Sequence, residues 1–259
     1  MQRNSTIYTI GFATLICVFC SVLVAASAVI LAPRQNLNRA AYKQKNVLLA
    51  AGIVKDGQKV SNADVAKLFD ENIQMKVVDL KTGDYVDGVD AKTFDQGKAQ
   101  DDPAQSTEVA ENSAKVKRTP NNGLVYQVVK DGKIEQVIIP VEGYGLWGTL
   151  YGFLALDKDT TTIHGITYYD HKETPGLGGE VDNPRWKGLW TGRKAFDEAW
   201  KPAIKVVKGS AGPVDAAPHG IDGLSGATIT SNGVTFMMDF WLGANGYGPY
   251  LAKFRERQA

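Results

Sequence analysis

Cysteine is nearly absent. Among 259 residues there are two, Cys17 and Cys20, and both fall inside one apolar N-terminal run. That excludes a disulfide framework in the remainder of the chain and leaves a structural zinc site without ligands. Histidine is as sparse: His164, His171 and His219 are dispersed, which suits surface or turn positions better than a metal centre. Net charge is lacking too, at +1, so nothing points to nucleic acid as a partner. No Ser/His/Asp arrangement and no pair of catalytic carboxylates can be placed. The chain is therefore expected to carry no catalytic residues for hydrolysis or acid–base chemistry. Between Asp90 and Asn122 large apolar side chains are scarce, and Lys, Asp, Gln and Ser dominate. That stretch reads as a long excursion or a partly ordered insert, not core.

Charge is missing altogether from Asn4 to Pro33, and Ile7 to Ala32 is strongly apolar. These 26 residues are enough to cross a hydrocarbon layer of about 30 Å with some tilt. A cleaved signal peptide is the competing reading, but the apolar stretch is too long for one and shows no clean cleavage site. An uncleaved single-pass anchor is expected. Arg3 alone precedes the span, whereas Arg34, Arg39, Lys43 and Lys45 follow it. By charge bias the domain after the anchor belongs in the cytoplasm.

What is present past the anchor is a series of short, punctuated elements. Asn36 to Ala51 has an amphipathic helical pattern stopped by Gly52. Ser61-Asn-Ala-Asp64 forms a capping box for a helix through Asn72. MKVVDL (75–80) alternates as a strand and turns at Lys81-Thr-Gly83. LVYQVVK and KIEQVIIPVE flank Asp131-Gly132, a hairpin signal. A second hairpin pairs TLYGFLALD with IHGITYYD. Between these hairpins, Gly143-Tyr-Gly-Leu-Trp-Gly148 spells a dinucleotide fingerprint, yet a strand rather than a helix follows it. No nicotinamide site is predicted there. Glu173-Thr-Pro-Gly-Leu-Gly-Gly179 is a turn cluster. Asn183-Pro184 reads as a helix start with Trp186 and Trp190 on one face, more in keeping with core than with cofactor contact. AIKVVKG (203–209) reads as another strand, and the last fifteen residues carry no signal beyond ordinary packing.

The densest signal is Asp222-Gly-Leu-Ser-Gly-Ala-Thr228, followed by the apolar run of a helix. Small residues admit a bulky ligand to the backbone, and a helix N-terminus favours an anion such as phosphate. A glycine turn with a Ser or Thr cap is the plainer reading of the same letters.

The D-x-x-S-G-A-T string resembles the acceptor motif of bacterial proteins that carry FMN on threonine. With the N-terminal anchor, the E-T-P-G-L-G segment and their order, nearly the full length is similar to the NqrC family of Na+-translocating NADH:quinone oxidoreductases. The homologous subunit of Rnf-type ferredoxin:NAD+ complexes is related to that family. The resemblance implies FMN esterified to Thr228, with Asp222, Ser225, Gly226 and Ala227 read by a flavin transferase. It implies that the two glycine loops cradle the flavin. Tyr144, Trp147 and Leu177 would then be its apolar wall, with Thr174 and the backbone of Gly176, Leu177 and Gly178 at its polar edges. It implies electron transfer within a six-subunit redox complex of the bacterial inner membrane, with the C-terminal domain periplasmic, against the charge bias. The expected fold is α+β: one N-terminal transmembrane helix, then an extracytoplasmic FMN-binding domain with an antiparallel sheet and flanking helices. Expected boundaries are 1–33 for the anchor, 34–122 for a membrane-proximal helical and α+β region holding the polar insert 90–122, and 123–259 for the FMN-binding domain. A membrane-anchored domain binding flavin non-covalently as a regulator, the homologous subunit of an Rnf-type ferredoxin:NAD+ complex, and a purely structural subunit are the alternatives.

Overall fold

The computed structural model describes residues 5–258; Arg3, used in the charge count, lies outside them. The chain divides into two compact units, residues 1–42 and 43–259. One helix, α1 (Thr6–Ala50), makes up nearly all of the first described unit and runs into the second. In the first unit its apolar side chains, from Ile7 to Leu31, are exposed, which fits membrane anchoring because a lipid phase is where such a surface is stable.

The second unit opens with the last turns of α1, whose Val47, Leu48 and Ala50 are buried; Gly52 follows with φ +70°. Next come α2 (Asn62–Asn72) and β1 (Ile73–Asp79). Ser61 caps α2 by accepting from the Asp64 amide, as the capping box predicts. Strands β4 (Asn122–Lys130), β5 (Lys133–Tyr144), β6 (Thr149–Asp157) and β7 (Ile163–Asp170) complete a five-stranded antiparallel sheet of order β1-β4-β5-β6-β7, once α3 (Gln96–Asp101), β2 (Ser106–Glu108) and β3 (Arg118–Pro120) have intervened. Asp131 and Gly132, at φ 50° and 74°, make the tight turn expected between β4 and β5. A 3-10 turn (Gly178–Asp182) leads to α4 (Pro184–Gly188), capped by Asn183. A short parallel pair, β8 (Lys205–Val206) and β9 (Gly220–Ile221), precedes α5 (Thr228–Leu242) and α6 (Gly248–Gln258).

Strand alternation puts the sheet between two cores. Along β4 and β5, Leu124, Tyr126 and Ile138 face α2 and the end of α1. Their neighbours Val125, Val137 and Ile139 face the side that holds Trp186, Trp190, Met237, Trp241 and Phe254. The two tryptophans, Trp186 and Trp190, are core, as their spacing indicates. Tyr247, Tyr250, Leu251 and Phe254 are also buried, so the C-terminal segment closes this face.

Two expectations need correction. The polar stretch 90–122 is not an excursion outside the core. It holds α3 and the β2–β3 pair, and it buries Ala99, Ala114 and Val116. Its polar side chains order it by short-range bonding: Asp95 caps α3, Asn112 accepts from the Val116 amide at 3.2 Å and donates to its carbonyl at 2.7 Å, and Arg118 donates twice to Ser106. Ala91, Phe94 and Val109, partly buried, pack against the cores as well. The strand predicted over 203–209 shrinks to Lys205–Val206, where the Lys205 and Val207 amides donate to the His219 and Ile221 carbonyls at 2.9 and 2.8 Å and the Val206 amide, on the opposite edge, donates to Thr235 Oγ1 at 2.9 Å.

Candidate functional site

The acceptor segment enters α5 through a turn. The Ala227 amide bonds to the Leu224 carbonyl at 3.1 Å, and Gly226 sits at φ +69°, a left-handed conformation that suits glycine. Ser231 Oγ accepts from the Leu224 amide at 3.1 Å, which fastens the turn to the body of the helix. Asp222 is committed to the loop before it: Oδ1 accepts from the Ala211 amide at 2.7 Å and from Ser210 Oγ at 3.2 Å. Its carbonyl accepts from Trp186 Nε1 at 2.9 Å.

Thr228 is the first residue of α5 and is exposed, as are Ser225 and Gly226. The preceding residue, Ala227, offers no side-chain cap, and the first turn holds no acid. The amides of that turn and the positive end of a 15-residue helix are thus open to an external anion. Thr230, two residues on, is fully buried, and its hydroxyl donates to Glu173 Oε2 at 2.5 Å. The two threonines of one turn therefore have opposite fates, and Thr228 is the accessible one.

Two other loops meet this turn. In the first, β5 ends at Tyr144 and β6 begins at Thr149, so the glycine loop sits between strands as expected, closed by a Gly145 amide to Gly148 carbonyl bond of 2.8 Å. Gly233 of α5 packs directly on the Tyr144 carbonyl, and a Cβ built at Gly143 would stand 2.6 Å from Met237 Cβ. In the second, Thr174 accepts through its carbonyl from the Leu177 and Gly179 amides at 3.1 and 2.9 Å, with Gly176 at φ +77°. Leu177 reaches the acceptor turn: its Cδ2 would lie 3.0 Å from a Cβ placed on Gly226. Around this junction Tyr144, Leu146, Trp147 and Leu177 are exposed, Trp147 at 62%. Such a patch of bare apolar side chains suits a flat ligand.

Sequence reasoning missed three contributors. Glu173 stands at the head of its loop with 6% exposure, and its carboxylate accepts from the Leu146 and Trp147 amides at 3.0 and 2.9 Å as well as from Thr230. The signal available was an acid opening a glycine turn, a weak one. Lys115, delivered by the polar stretch, places Nζ 4.8 Å from the Tyr144 ring centre, and the Tyr144 amide donates to the Ala114 carbonyl at 3.1 Å. His171 lies just before Glu173. Its hydrogen bond to Asp182 raises its pKa, and burial opposes that. Its Nδ1 accepts from the Glu173 amide at 3.2 Å, a bond that only an imidazole with a free Nδ1 can make. Among the described residues no group of His, Cys, Asp and Glu could hold a metal ion.

Comparison with known proteins adds to this geometry. The FMN-binding domain family matches residues 145–243, a span that includes the Glu173 loop, the acceptor turn and α5. The chain is 48% identical to the NqrC component of the Na+-translocating NADH-quinone reductase of Vibrio vulnificus, covering 99% of this chain and 98% of the relative. It is 46% identical to the protein of the same description from Pseudomonas aeruginosa, over 100% of this chain and 99% of that one. The crystal structure of NqrC from Shewanella oneidensis superposes with a TM-score of 0.74 at 36% identity, covering 82% of this chain and 96% of that chain.

Proposed function

This chain belongs to the NqrC family of the Na+-translocating NADH-quinone reductase, and from that premise we propose that it carries FMN as a phosphoester on the Thr228 side-chain oxygen and relays electrons between cofactors of neighbouring subunits. Its FMN-binding domain identifies the cofactor class; the attachment atom is our reading. Bound FMN supplies reversible electron chemistry that no side chain offers. The protein's own part is to tether, orient and shield.

Thr228 is the tether, and the open amides of the first turn of α5 face the charge a phosphodiester retains. Asp222, Ser225, Gly226 and Ala227 are the segment that a flavin transferase reads. Tyr144, Trp147 and Leu177 form the apolar wall; Thr174 and the backbone of Gly176 and Gly178 serve the polar edges. The other members of a six-subunit complex hold the donor and acceptor, and the domain after the anchor stands on the periplasmic side of the inner membrane. A covalent link suits that location, where lost FMN is not readily replaced.

The observation that carries this reading is the contrast within one helical turn: Thr228 is exposed at an uncapped helix start, while Thr230 is buried and bonded to Glu173. Thr228→Ala tests it. In cells that contain the transferase, the denatured variant band loses its flavin fluorescence while the protein still reaches the membrane. A band that stays fluorescent removes Thr228 as the attachment point.

A further inference from the structure

Glu173 is a buried acid on one loop of the flavin site, bonded through three donors to two other pieces of it, the glycine loop and α5. Oε1 receives the Leu146 and Trp147 amides at 3.0 and 2.9 Å, and Oε2 receives the Thr230 hydroxyl at 2.5 Å. The partners lie 26, 27 and 57 residues away in sequence. Two glycines make room for the carboxylate. A Cβ on Gly145 would stand 2.6 Å from Oε1, and one on Gly178 would meet Oε2 and approach Thr230 Oγ1 to 2.6 Å. The glycine pattern of both loops thus has a second cause besides ligand approach: the side chain of Glu173 fills the space between them.

The bonding has an electrostatic side. All three donors are neutral, and among the described residues no Lys or Arg makes an ion pair with Glu173. The ionisable groups around this corner are His171, which Glu173 acts on electrostatically, the acids Asp182 and Asp170, and two lysines that make no ion pair with Glu173: Lys172, whose side chain lies against Gly148, and Lys115 over the Tyr144 ring. A fixed negative charge in a partly dry setting acts strongly on a neighbouring group that gains charge. Each electron added to a flavin makes it more negative, so a carboxylate held nearby opposes reduction.

We infer that Glu173 is the positioning residue of the flavin site, clasping both cradle loops to the first turn of α5, and that its negative charge holds the midpoint potential of the bound flavin down. This rests on the flavin reading of the same site.

The test uses the full chain produced with its flavin transferase and purified in detergent. Glu173→Gln keeps an acceptor for the two amides and a group able to bond Thr230, but removes the charge. The prediction is near-normal covalent flavin with a midpoint shifted upward in a redox titration. Glu173→Ala removes the clasp: covalent flavin falls severalfold, and the Leu146 and Trp147 amides exchange with solvent faster. Thr230→Val loses one bond and leaves the charge, so its midpoint does not rise. Glu173→Gln with an unchanged midpoint, or with its flavin lost, overturns the electrostatic claim, as does an upward shift in Thr230→Val equal to that of Glu173→Gln. Unaltered exchange at Leu146 and Trp147 in Glu173→Ala overturns the clasp. A wild-type chain with no flavin sinks the proposed function instead, and the exchange measurement still decides the clasp.

Discussion

The indole nitrogen of Trp186 donates to the carbonyl of Asp222 at 2.9 Å, tying α4 to the first residue of the acceptor motif. Trp186 is 6% exposed and meets Trp190 edge-on with ring centres 5.6 Å apart, so the anchor point is itself held in the core. Trp186→Phe keeps an aromatic ring and leaves that carbonyl without its donor. The expected loss is about 1–3 kcal/mol in chemical denaturation, with less flavin attached per chain by in-gel fluorescence. Undiminished loading in a destabilised variant separates the bond from the placement of the acceptor turn.

Gly226 is the one residue of the acceptor motif with positive φ, at +69°, and Leu177 is close by. In Gly226→Ala the left-handed backbone costs about 1–2 kcal/mol, and the new methyl group presses on Leu177. Stability falls by that amount in a urea titration, and covalent flavin falls further than stability alone accounts for, because Leu177 and Thr228 are displaced together. Equal flavin content in variant and wild type contradicts the contact.

Glu142, on β5 just before the glycine loop, gives a pH prediction. Burial raises its pKa, while the hydrogen bond from Gln100 lowers it and Asp101 raises it. With the folded value above the unfolded one, the folded state binds the extra proton. The contribution to stability is therefore fully present below the ordinary value of 4.5 and declines as pH rises through the folded value. Glu142→Gln lacks that decline. Its melting temperature exceeds that of the wild type at pH 7, and the gap narrows toward acid pH. A gap that widens toward acid pH reverses the sign and refutes the assignment.

Much of this was legible because it is local. Asp131-Gly132, Ser61 with Asp64, and Asn183-Pro184 each specify a turn or cap within four residues, and the structure has each of them. The strand expected after Gly148 is there as β6, starting at Thr149. Glu173 was not legible, since its partners are set by how β5, β7 and α5 come together, which no short string encodes. The stretch 90–122 misled for a related reason. Its order comes from Asp, Asn and Arg side chains bonding to nearby backbone and side-chain groups, and polar composition alone reads as a stretch outside the core. The C-terminal segment was silent because Tyr247, Tyr250 and Phe254 become core only when packed on the sheet.

Orientation sets the charge bias after the anchor against family likeness. With the domain after α1 in the periplasm, a C-terminal alkaline phosphatase fusion is active and a fluorescent-protein fusion exported by the same route is dark. The reverse pattern puts the domain in the cytoplasm.

The most direct measurement is the intact mass of the full chain purified from cells that hold the flavin transferase. One added FMN is predicted, less the water lost on ester formation, with peptide mapping that assigns it to Thr228. A chain weighing no more than its own amino acids, or an addition mapped to another residue, contradicts the covalent tether.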